Sequence, residues 1–162
     1  MAWTTPRTWV AAEVPTETTF NTHVRDNLNA LYGTDSTYTP TLTQSATITK
    51  TVNEARYIQN GRIVDVWVIL SATSSGTAAN ALVLGLPVAA SGHLSTAAIG
   101  TGYVYDGSAN LTYHGHWRLT TTTTANFTSH GSAPATGAFG VSPAVTIASG
   151  DAIIACLRYV VA

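Results

Sequence analysis

The feature that most constrains this chain is the Asn60-Gly61 pair set between two alternating runs, residues 55–59 and 62–70. Both residues tolerate the positive φ of a tight two-residue turn, so the pair specifies a β-hairpin. In the second run Val64, Val66, Val68 and Leu70 fall on one face. Ile63, Trp67 and Ile69 fall on the other, interrupted by Asp65, so both faces are expected to be largely covered. Further short strands are expected at residues 82–86, 99–105, 111–119, 145–147 and 153–161, with Asp106-Gly107 and Gly150-Asp151 as turns. In the third of these, Leu111, Tyr113, Trp117 and Leu119 share a face with Gly115. Thr112, His114, His116 and Arg118 share the opposite one. The last run is apolar on both faces apart from Arg158, which predicts a central strand or one at a subunit interface. Residues 34–51 are Thr-rich, with Tyr38 and Leu42 as occasional anchors. Strands at this spacing with no second helix imply an antiparallel β-sandwich, jelly-roll-like in type, over residues 36–162.

Residues 1–35 read differently. Trp3, Pro6, Arg7, Trp9 and Val10 form an opening segment too short for its own core, and its aromatics are expected to dock on a partner surface. A helix of about four turns follows, by its apolar period. Thr16 is its expected N-cap, Glu17 suits the positive end of the helix dipole, and Gly33 its stop. Phe20, Val24, Leu28 and Leu31 make a narrow apolar stripe that fits a seam shared between helices. Asn21, Asn27 and Asn29 are poor helix formers, so packing must hold the helix.

Charge is scarce. Only 9% of the 162 residues are Asp, Glu, Lys or Arg, while 45% are hydrophobic. A polar surface so poor in charge favours life inside an assembly. The net charge of −1 argues against nucleic acid, which needs a basic patch. No secretory leader is apparent near the start, and no apolar run suggests insertion into a membrane. Synthesis in a host cytoplasm is therefore expected. The single cysteine, Cys156, reads as a small buried hydrophobe.

Two stretches resemble a known group. The first is Trp3-Thr-Thr-Pro6-Arg7-Thr-Trp9-Val10, then Glu13, Thr16, Phe20-Asn21 and Val24-Arg25-Asp26-Asn27-Leu28. The second comprises Ala55-Arg56-Tyr57 before Asn60-Gly61-Arg62, then Leu86-Pro87-Val88, Gly102-Tyr103-Val104-Tyr105-Asp106, and Gly150-Asp151 before a strand containing Tyr159. Together they are similar to virion structural proteins of bacteriophages, described as minor tail or fibre proteins of phages infecting actinobacteria. The resemblance implies a homotrimer on the particle surface, tethered to other virion proteins by its N-terminus, with the β head outward. The chain lacks the long repetitive shaft of true fibres. A capsid-decorating or head-fibre role is the alternative, and a glycan-degrading enzyme a remote one.

Candidate chemistry is sparse. His114-Gly-His116 puts two imidazoles on one strand face, but polar-face histidines need no ion, and no metal or other cofactor is expected. Tyr103 and Tyr105, with Tyr113, His114 and His116 nearby, could stack on a sugar of the host envelope or simply pack on the core. His93 and His130 fall in Gly/Ser-rich stretches and read as solvated. Asp106 and Asp151 are explained by turns. Glu54 and Asp65 are the remaining acids that could act together, and Asp65 is expected to pair with Arg56 or Arg62. No nucleophile elbow or phosphate-binding loop is present, so no catalytic residues are assigned.

Overall fold

The computed structural model describes residues 4–5, 7–32, 35–92, 97–130 and 137–162, with the backbone alone for residues 30–32. The protein is mainly β, with 45% of the described residues in strands or bridges. It begins with a helix in three pieces: α1 (Glu17–Phe20), a π-helical turn (Asn21–Arg25) and α2 (Asp26–Tyr32). Among the described residues ten strands follow: β1 (Ser36–Thr37), β2 (Leu42–Gln44), β3 (Ala46–Thr47), β4 (Lys50–Asn60), β5 (Ile63–Ala72), β6 (Val83–Gly85), β7 (Ala98–Asp106), β8 (Leu111–Leu119), β9 (Thr124–Ser129) and β10 (Ala152–Val160). Every pairing is antiparallel, in the order β1-β4-β5-β10-β7-β8-β9-β6-β2-β3. The sheet curls on itself, giving the jelly-roll-like sandwich expected from the strand pattern.

Alternation explains the core. Val64, Val66, Val68 and Leu70 of β5 point inward with Ile153, Ala155 and Leu157 of β10. Curling sets them in one cluster with Leu42, Leu84, Trp117 and Phe127. Trp117 is fully buried, and its indole Nε1 donates to the Ile154 carbonyl at 3.3 Å. Gly102 makes that contact possible, since a Cβ there would stand 2.1 Å from that carbonyl oxygen and 2.8 Å from the indole nitrogen. The expected hairpin is present, but its turn falls one residue later than Asn60-Gly61: Asn60 ends β4 paired with Ile63, and Gly61 (φ +57) and Arg62 make the turn.

Several readings of the strands need correction. Residues 145–147 form no strand; they are held by Gln44, whose side chain is fully buried. Its Nε2 donates to the Val145 carbonyl at 2.8 Å and its Oε1 accepts from Ile147 N at 3.0 Å. This one amide supplies both ladder partners that a neighbouring strand would have given. The outer face of β5 is not covered, because Ile63, Trp67 and Ile69 are all exposed. Cys156 is exposed rather than buried, since β10 points its even-numbered residues outward. Asp65 pairs with neither Arg56 nor Arg62 but with Arg158 directly across on β10, at 2.5 and 2.9 Å. That pairing needed the knowledge that β10 lies beside β5.

The two turn acids behave as expected. Asp106 Oδ1 accepts from the amides of Ser108 and Ala109 and from the Ser108 hydroxyl. The Ala109 amide, foremost among these donors, holds its carboxyl below the usual range. Asp151 accepts from Gly107 N and from Ala148 N, both at 2.9 Å, tying two loops together.

Two substitutions test this account. Gln44→Leu strands the Val145 carbonyl and the Ile147 amide, and should cost about 1–3 kcal/mol in urea unfolding. Tyr38 is the converse case: its hydroxyl is buried without a hydrogen-bond partner among the described residues, and burial raises its pKa. Tyr38→Phe should therefore hold or raise the melting temperature, and a fall of several degrees would contradict the assignment.

Candidate functional site

Three regions bear on function: the N-terminal segment, the outer face of the sheet, and the acids once weighed for catalysis. In the first, Trp3 and Pro6 lie outside the described residues, as do Gly33, His93 and the side chain of Leu31. What is described shows how the segment is held. Asn27 is buried in the helix, its Oδ1 accepting from Thr4 N at 3.0 Å and its Nδ2 donating to Thr4 O at 3.0 Å. The same Nδ2 reaches the His23 carbonyl at 3.2 Å. A side-chain amide thus pairs with the backbone of Thr4 as a strand would, clamping the segment to the helix. Sequence reasoning saw Asn27 only as a weak helix former, and the clamp has no local signature.

Beyond the clamp, Arg7 and Glu13 form an ion pair at 2.6 Å, and the Arg7 guanidinium sits 5.0 Å from the Trp9 ring centre. The pair and the stacked cation present the indole on a local turn, leaving Trp9 43% exposed and Val10 69% exposed. Thr16 caps the helix as expected, its Oγ1 accepting from Thr19 N at 3.2 Å. The stripe is altered. Through the π turn the backbone bonds run five residues apart rather than four, Asp26 N to Asn21 O, so Phe20 and Val24 do not lie in α-helical register. Phe20 and Leu28 remain exposed, uncovered by their own chain.

On the sheet, the outward residues of β8 face a row from β7. His114 stands opposite Tyr103, His116 opposite Thr101, and Thr112 opposite Tyr105. Tyr103 and His114 pack at 5.8 Å between ring centres. Tyr105 donates its hydroxyl to Asn110 Oδ1 at 2.9 Å, which anchors it to the turn. Tyr113 does not join this group; it points inward and packs edge-on against Phe139 at 5.1 Å. The partner of His116 is His130, Nδ1 to Nε2 at 2.7 Å, so His130 is not simply solvated. One ring nitrogen donates to the other, the tautomers deciding which. No group of three or more His, Cys, Asp or Glu that could hold a metal is found among the described residues.

Glu54 and Asp65 each face arginine: Glu54 lies 3.8 Å from Arg56, which also meets Asp35, while Asp65 is bound by Arg158. Among the described helices none is long and apolar enough to cross a membrane. No family model, curated protein or solved structure matches this chain significantly.

The histidine pair sets a pH dependence. Burial, then the charge of His130 and then Arg118, hold the His116 pKa below its ordinary value. The unfolded chain therefore binds its proton first, and stability present above about pH 6.5 is lost as pH falls below it. Thermal melts should show a drop from pH 7.5 to 5 that is smaller in His116→Gln. Parallel pH profiles for the two proteins would contradict the assignment.

Proposed function

We propose that this chain is a bacteriophage virion structural protein, a homotrimeric surface appendage of the minor-tail or short-fibre type. The observation that carries this reading is the exposed N-terminal segment: Trp9, Val10, Val14, Phe20 and Leu28 all lie uncovered by the head. A clamped segment that presents an indole on an ion-paired turn is built to enter a pocket on another protein. Arg7, Trp9 and Val10, with Trp3 and Pro6 from the sequence, are its docking residues toward other virion proteins. Phe20 and Leu28, the exposed members of the helix stripe, would meet their counterparts in the trimer, with Val24 and Leu31 from the sequence beside them. Toward the β8 side of the outward face, beyond Tyr103, the group Tyr105, His114 and His116 would meet the host envelope, whose glycans suit aromatic and imidazole contacts.

One observation favours the capsid-decorating alternative. Residues 33–35 alone separate the end of α2 from the start of β1, so no shaft lifts the head from its anchor. Copies of this chain per particle separate the readings: a handful for the tail, scores or more for the shell.

Trp9→Ala should leave the melting temperature of the head unchanged and lower incorporation into particles at least tenfold, read by quantitative blotting of purified virions. A variant that assembles normally would refute the docking role. Truncation of a buried interface tryptophan removes about 2–4 kcal/mol, which is ample for that loss.

A further inference from the structure

We infer that copies of this chain meet through the outer face of the sheet centred on β5, β10 and β7. This inference deepens the proposed trimeric reading by naming a surface of the head, separate from the helix. Cross-strand register builds the patch. Ile69 of β5, Ile154 of β10 and Tyr103 of β7 lie side by side, and Trp67, Cys156 and Thr101 form the next row. Trp67 is 42% exposed, Ile69 38% and Tyr103 38%, although all stand in the middle of the sheet. The inner faces of the same strands are filled by the core, and these outer side chains stay more than a third exposed.

Charge and area indicate what covers the patch. The ionic groups interrupting its centre are Asp65 and Arg158, which satisfy each other through two hydrogen bonds. Glu54 and Arg56 at its margin are likewise close together. The patch therefore offers no unbalanced charge to a basic, acidic or nucleic-acid partner, and an equally neutral apolar face is its best complement. A second copy of this chain carries such a face. Four strands, β4, β5, β10 and β7, at roughly 4.8 Å between strands and 3.3 Å per residue, span about 600 Å², approaching the ~800 Å² each partner contributes to a stable interface. Two such faces can pack about 10 Å apart, as sheets do in sandwiches. The low charge of the whole chain weakens repulsion between copies.

The test uses the full chain and its single thiol. Cys156 sits in the patch, so maleimide labelling under native conditions reports its coverage, while light scattering on a sizing column reports the mass. Wild type should run as an oligomer and label at least tenfold more slowly than in denaturant. Ile69→Lys and Trp67→Lys, with unchanged circular dichroism, should shift the mass downward and restore fast labelling. An oligomeric wild type whose Cys156 reacts at the free-thiol rate would overturn this interface and leave an appendage joined by its helices alone. A monomeric wild type that still enters particles would overturn self-association while sparing virion attachment. The labelling of wild type decides the matter even if a lysine variant fails to fold.

Discussion

β10 is the element on which the rest of the structure depends. It lies between β5 and β7, pairing with both along most of its length. Without it the sheet would part into β1-β4-β5 and β7-β8-β9-β6-β2-β3, and the inner surface they share would be broken. With it, Val64 to Leu70 and Ile153 to Leu157 become one continuous inner surface on which Trp117 and Phe127 can close. Its outward residues, Ile154, Cys156 and Arg158, are then forced into the middle of a broad face, and the character of that face follows from theirs.

Legibility in the sequence followed the range of the interactions. The β4–β5 hairpin, the clean alternation of residues 111–119 and the Thr16 cap are set by neighbours a few residues apart, and each was readable. β9 was missed because Ala125 and Phe127 stand in a run of threonines that masks their alternation. The Gln44 peg, the Asp65–Arg158 pair and the Thr4–Asn27 clamp join residues 103, 93 and 23 positions apart at most, and no local pattern announces them. The apolar face of β5 was readable as composition but misread as covered. Periodicity states which residues share a face, and it is silent on whether anything lies over that face.

The candidate surfaces divide in the same way. Trp9 and Val10 were conspicuous as aromatic and apolar residues among breakers, and the structure leaves both exposed. Tyr103 with His114 was recognisable from alternation on adjacent strands, whereas the bond from His116 to His130 depended on finding β9. Tyr113 illustrates the limit: one residue from His114, it faces the opposite side of the sheet and serves Phe139 instead.

The long reach of β10 also bears on how this molecule is made. Asp65 and Arg158 meet across 93 residues of chain, so β5 is synthesised long before the strand that closes its open edge. At ordinary translation speeds of about 5–20 residues per second, that edge waits several seconds with its ladder unpaired. Contacts of such high sequence separation also slow refolding relative to hairpin-only sheets. Yield during expression is thus governed by the interval before β10 emerges, when nascent chains can pair strand edge to strand edge in the wrong company.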